Sequence, residues 1–179
     1  MDHRAMAEHA VEMGAFKAAV IGLESFTFDP AFREMCKANL CGNYGLCWTC
    51  PPDVGDISQL IAEAKTYNWG LVYQTVSKLE DSYDFEGMME AGRLHNKLAQ
   101  EIADWAAGQD FSRWLQLGAG GCHICETCAK RTNEPCRHPK LALRSLETYG
   151  VDVSKLAEAS GMKYINGQDT VTYFGALLF

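Results

Sequence analysis

Eight cysteines fall in two tight groups, and the second, Cys122, Cys125, Cys128 and Cys136, most limits what this chain can fold around. Three cysteines spaced C-x2-C-x2-C, with a fourth shortly downstream, let one loop wrap a cubane iron–sulfur cluster. A thiolate on every third residue directs several sulfurs into one bowl, while the amides between them are free to turn toward the cluster sulfides. Zinc sites more often draw on two separate C-x2-C knuckles, because a tetrahedral ion rarely takes three ligands from one short run. The spacing therefore points to a metal centre, and to 4Fe-4S before zinc.

The full pattern, C-x2-C-x2-C-x7-C, departs from the bacterial ferredoxin run in its last gap. A fourth ligand arriving from a separate turn tolerates that gap, and Pro135 and Pro139 would stiffen such a turn. His123 and His138 are further nitrogen donors in this stretch. The simpler reading has His123 facing outward and His138 beginning a following helix. Arg137 is either a hydrogen-bond donor to cluster sulfide or a surface residue.

The first group, Cys36, Cys41, Cys47 and Cys50, has spacing C-x4-C-x5-C-x2-C and runs into Pro51-Pro52. Structural thiols scattered through a core would not concentrate in a loop this rich in Gly, Asn and Pro. Cys47-x2-Cys50 alone has dithiol spacing, but the thioredoxin strand–motif–helix context is missing. A second metal centre is preferred over a structural or redox role.

Composition fits metal better than disulfides. The first ten residues hold no apolar signal core, and no run reaches the length of a membrane span, so the expectation is a cytoplasmic protein without a membrane anchor. In that reducing compartment clustered cysteines read as metal-binding or catalytic. The net charge of −7 contains no block of like charges, which argues against a nucleic-acid partner. An acidic surface suits a basic redox partner and solubility alike.

The 179 residues contain no repeat, low-complexity tract or linker, so residues 1–179 are expected to form a single metal-binding domain. Helices are predicted over residues 2–13, from Asp29-Pro30 toward Cys36, from the Asp56 cap onward, and over 86–106, 139–149 and 152–160. The 86–106 helix should bury Ala91, Leu94, Leu98, Ile102 and Trp105. Strands are predicted over 16–28, 69–76 and 111–117. A hairpin turning at Asn166-Gly167 should join 162–165 to 170–179. Together they give a mixed α/β sandwich of about five strands, partly antiparallel, with helices packed on the sheet and cysteine-rich metal-binding loops. Gly118-Ala-Gly-Gly121 lets the backbone approach a bulky cofactor but does not spell a dinucleotide fingerprint.

Cys41-Gly-Asn-Tyr-Gly-Leu-Cys-Trp-Thr-Cys50-Pro-Pro resembles the C-x-x-Y-G-x-x-W-x-C-P-P signature of a bacterial and archaeal family of predicted metal-binding proteins of unknown function. Gly120-Gly-Cys-His-Ile-Cys-Glu-Thr-Cys128, Pro135-Cys-Arg-His-Pro139, Ser145-Leu-Glu-Thr-Tyr-Gly-Val-Asp-Val153 and Thr170-Val-Thr-Tyr-Phe-Gly175 resemble its other blocks. The resemblance implies that Cys36, Cys41, Cys50, Cys122, Cys125, Cys128 and Cys136 occupy the family's metal-binding positions. Cys47 departs from the usual residue there. The family implies metal but no reaction, and no catalytic residue is identified.

Three functions fit. The first is an iron–sulfur protein that transfers electrons to, or activates, a partner enzyme. The second is a zinc-binding structural or interaction protein. The third is a redox enzyme whose first centre keeps an open position beside the thiolates of Cys36, Cys41 and Cys50. Tyr44, Trp48 and Trp69 either line a pocket at that centre or pack structurally.

Overall fold

A computed structural model describes residues 2–179. Ten regular elements follow in chain order: α1 (His3–Glu12), β1 (Lys17–Gly22), α2 (Phe32–Lys37), α3 (Ile57–Ala64), β2 (Trp69–Lys78), α4 (Phe85–Ala107), β3 (Leu115–Gly118), β4 (Arg144–Ser145), α5 (Val153–Ala159) and β5 (Thr170–Leu178). Three short 3-10 turns lie between them. The strands form one open, mostly antiparallel sheet in the order β1-β2-β5-β3-β4, with β3 and β4 parallel.

The sheet is buried on both faces, which explains why β2 reads as a nearly continuous apolar run rather than an alternating one. Leu71, Tyr73 and Leu177 point to α1 and α4, where they meet Met6, Ala10, Leu98, Ala99, Ile102 and Ala106. Val72, Phe174, Ala176 and Leu178 point the other way, onto Leu60, Ala64, Leu146, Tyr149 and Leu156. Four helix starts are fixed by aspartates that accept backbone amides: Asp2 from Arg4, Asp56 from Ser58 and Gln59, Asp84 from Gly87, and Asp152 from Lys155.

Several expectations need correction. The 16–28 strand ends at Gly22 and gives way to a 3-10 turn, Leu23–Ser25, that tucks Leu23 and Phe26 into the core. α4 is rotated from the expected phase. Ala91, Leu98 and Ile102 are buried, but Leu94 is exposed and Trp105 half-buried, and His95, Ala99 and Ala106 face the sheet instead. Small alanines let the helix approach the strands closely, while Trp105 packs sideways against His9 and Phe111.

The 111–117 strand shrinks to Leu115–Gly118, because Phe111 leaves the sheet to pack its ring, tilted, against Phe179 at 4.9 Å. No helix forms over 139–149. Arg144–Ser145 add a parallel strand beside Leu117–Gly118, and Glu147–Tyr149 make a 3-10 turn ended by Gly150 at φ 73°. The open edge of β3 takes that backbone as its partner. The 162–170 hairpin is absent: β5 inserts between β2 and β3, and residues 162–165 are loop. Asn166 pins that loop, donating from Nδ2 to the Lys163 carbonyl, Gln74 Oε1 and Thr172 Oγ1.

Candidate metal centre

The first cysteine loop leaves α2 directly after Cys36 and folds through left-handed turns at Asn39, Gly42 and Gly45. Asn39 Oδ1 accepts the Tyr44 amide at 2.9 Å, and the Gly45 amide reaches the Pro51 carbonyl at 2.8 Å. The return buries Cys47 and Cys50 in one turn, closed by Cys50 N–H donating to the Cys47 carbonyl. Cys36 is half-buried and Cys41 exposed.

The second loop begins where β3 ends. Gly120 takes φ 63°, and Gly121 passes so close to the first loop that a Cβ there would stand 2.9 Å from Asn43 Nδ2 and 3.8 Å from Cys50 Sγ. A side chain there would have to displace the Asn43 amide. After Cys128 a 3-10 turn, Ala129–Thr132, sends the chain back by way of Asn133 at φ 55°, and Cys136 arrives on the return.

The four thiols of this second group line one small cavity with Ile124, Ala129, Arg137, His138 and Ala142. Arg137 braces the loop by donating to the Thr127 carbonyl at 3.3 Å and pairing with Glu134. His123 turns away and lines a neighbouring groove. His138 starts a turn rather than a helix, its carbonyl accepting the Leu141 and Ala142 amides.

Cys50 and Cys122 are 72 positions apart in the chain, yet the two loops are clamped together. Trp48 Nε1 donates to the Glu134 carbonyl at 2.9 Å. Lys130 lies 4.3 Å above the Trp48 ring and pairs with Asp53 at 2.6 Å, with both side chains under one-fifth exposed. Trp48 is thus a bridge between the loops. Trp69 sits elsewhere, stacked edge-on against His3 at the α1 end of the sheet.

The thiols form an electrostatic chain. Cys36 feels Cys41, Cys50 feels both Cys41 and Cys47, Cys47 feels Cys50, and Cys122 feels Cys47, Cys128 and Cys136. Cys47 lies below the ordinary thiol range, first through its hydrogen bond with Cys50 and then, against burial, through Thr49 and the Cys122 amide. That same hydrogen bond, with burial, pushes Cys50 far up. Burial pushes Cys122 to about 11, with repulsion from Cys47, Cys128 and Cys136 adding to it. Sulfurs crowded this way repel as thiolates, and a cation among them removes the penalty.

Among the described residues, no three His, Cys, Asp or Glu side chains meet around a single point as one bare ion requires. The second group shares a cavity rather than a point. Cluster ligands each bind a different iron and so stand farther apart than the ligands of a lone ion. The donor set, four soft thiols with no carboxylate in the cavity, fits an iron–sulfur group.

A groove of about 520 Å³ runs between the loops, bordered by Cys41 on one side and Cys125 on the other, with Met88, Met89 and Phe85 of α4 along its wall. Sequence reasoning missed this groove, the Lys130–Asp53 pair and the bridging role of Trp48, since each depends on long-range docking.

The family described as "Predicted metal-binding protein (DUF2284)" matches residues 19–179. The chain belongs to this family. No curated protein matches it, and no solved structure does. As a member, it is a cysteine-rich metal-binding protein. No helix among the described residues is long and apolar enough to cross a membrane.

Proposed function

We infer that this metal-binding protein holds two adjacent iron–sulfur centres, the second 4Fe-4S, and passes electrons to, or activates, a partner protein. One observation carries the reading: two cysteine loops far apart in sequence dock so closely that Cys47 lies beside Cys122. An iron–sulfur centre supplies one-electron transfer when bound. The chain's own part is to hold and insulate.

Cys122, Cys125, Cys128 and Cys136 hold the second centre in the cavity that they line, with Arg137 beside them as a source of positive charge. Cys36, Cys41 and Cys50 hold the first, and Cys47 bridges toward Cys122. The Trp48–Glu134 hydrogen bond and the Lys130–Asp53 pair fix the separation between the loops. An acidic chain of net charge −7 would favour a basic partner.

The groove between Cys41 and Cys125 favours a second reading, a redox enzyme that binds a small molecule beside its first centre. Its volume lies within the usual range for small-molecule sites.

Electron paramagnetic resonance of the fully reduced protein tests the adjacency. Two neighbouring paramagnetic centres broaden each other's signals, and the broadening should disappear in Cys125→Ser. A single unbroadened signal that survives in Cys125→Ser would contradict a two-centre relay.

A further inference from the structure

In the proposed first centre the three thiols of Cys36, Cys41 and Cys50 would leave one position for a further ligand, and the residue best placed to supply it is not a cysteine. Glu147 opens the 3-10 turn Glu147–Tyr149. That turn packs on α2, which carries Cys36, and the Asp29 amide donates to the Gly150 carbonyl at 2.7 Å to hold the two segments together. On its other side, Leu146 N–H donates to the Gly118 carbonyl at 3.0 Å, setting the turn against the glycines that lead into Cys122. Glu147 therefore stands between the two cysteine loops.

Its Oε2 is sealed from solvent and has no hydrogen-bond partner. The polar neighbours of the carboxyl are the Ser145 side chain, its own backbone and the Gly120 amide, all outweighed by burial. Arg33, one helical turn before Cys36, has a buried Nη2 without a partner, but its Nη1 is spent on the Gly55 carbonyl at 2.6 Å. Among the described residues Arg33 and Glu147 form no ion pair. A buried carboxylate oxygen left bare is costly, and burial drives the carboxyl toward its neutral form unless something positive meets it.

We propose that the Glu147 carboxylate is the oxygen ligand of the first centre, completing the set with Cys36, Cys41 and Cys50. Cys47 is the competing candidate, but it is turned to Thr49 Oγ1 at 3.3 Å and to the Cys122 side. An oxygen donor among three thiolates makes one iron harder and more exchangeable than its neighbours. That is the position at which a small molecule from the groove beside Cys41 would bind. The inference rests on the metal reading of the first group.

Wild type, Glu147→Gln and Glu147→Cys, purified without oxygen, test it by iron and sulfide content, Mössbauer spectroscopy and far-ultraviolet circular dichroism. Wild type should show an iron subsite distinct from all-thiolate iron. Glu147→Gln should lose that subsite and up to about half of the iron, the share of one of two cubanes, with its secondary structure intact. Glu147→Cys should restore the iron in an all-thiolate form. Full iron and an unchanged spectrum in Glu147→Gln would overturn the proposal. Should both variants misfold, the wild-type spectrum decides alone: purely thiolate-bound iron overturns the ligand, and a distinct subsite supports it. If wild type carries zinc without sulfide, the iron–sulfur reading falls instead, and zinc lost or kept in Glu147→Gln decides the ligand in the same way.

Discussion

The Trp48 indole donates to the Glu134 carbonyl at 2.9 Å, joining a residue of the first cysteine loop to one of the second. Neither loop is regular structure, so side chains rather than ladders must hold their spacing. Trp48→Phe keeps a ring beneath Lys130 and should cost about 1 kcal/mol, the worth of one net hydrogen bond. Trp48→Ala also removes the ring and should cost about 3 kcal/mol. Denaturant melts of the two variants check this. Equal losses would assign the clamp to the hydrogen bond alone.

Asp53→Asn should destabilise the protein by about 1–2 kcal/mol, between the values for exposed and fully buried pairs, since the Lys130–Asp53 pair is mostly shielded. The loss should persist in high salt, because a shielded pair is screened little. A deficit that vanishes with salt would mark the pair as a surface contact.

Cys125→Ser and Cys47→Ser should part company. Cys125 lines the cavity with three other thiols, so its loss leaves a labile centre and removes a cluster's worth of metal. Cys47 is bound into a hydrogen-bonded pair with Cys50 and should cost little metal. Metal analysis of both variants separates them, and full retention in Cys125→Ser would count against the second site.

Much of this was legible in local spacing. The cysteine loops, the Asp56 cap, the long helix and the mixed sheet follow from residues within a turn or two of each other. What was not legible depends on tertiary competition. Asn166-Gly167 carries a hairpin signal, but β5 gains more by pairing over nine residues with β2 and by taking β3 on its other edge. Pro139 suggests a helix start, yet Ser145 is drawn to the edge of β3. Leu94 was expected in the core but is exposed, while the neighbouring His95 is buried, because nothing local fixes the phase of an alanine-rich helix to within one residue.

His95 gives the fold a pH dependence. It is wholly buried between Tyr73 and Tyr173, with Nδ1 at 2.9 Å from Thr75 Oγ1 and Nε2 unpartnered. Burial lowers its pKa to about 4, and the nearby Phe174 carbonyl offsets this only in part, without a hydrogen bond of good geometry. The unfolded chain takes up this proton near pH 6.5 and the folded chain only near 4. Stability is therefore full above 6.5 and falls as pH drops through that window, by about 3 kcal/mol at most. His95→Phe should flatten this part of the profile. An equally steep decline in the variant would move the effect to other groups.

Removing metal should loosen residues 36–52 and 118–139 while leaving the sheet and α4 folded. The core on both sheet faces is built without the loops, apart from Cys47, Cys50 and Ala129 at its margin. Bound metal still adds its binding free energy to the folded state, on the order of 10 kcal/mol for structural thiolate sites. Hydrogen exchange on chelated protein checks this region by region. Uniform loss of protection would mean that the metals hold the whole fold.

The central claim is that the two cysteine loops carry iron–sulfur centres, and assay of iron, zinc and acid-labile sulfide in protein purified without oxygen tests it most directly. The account predicts brown protein with iron and sulfide in equal amounts, both falling in Cys125→Ser. Colourless protein carrying zinc and no sulfide would contradict it.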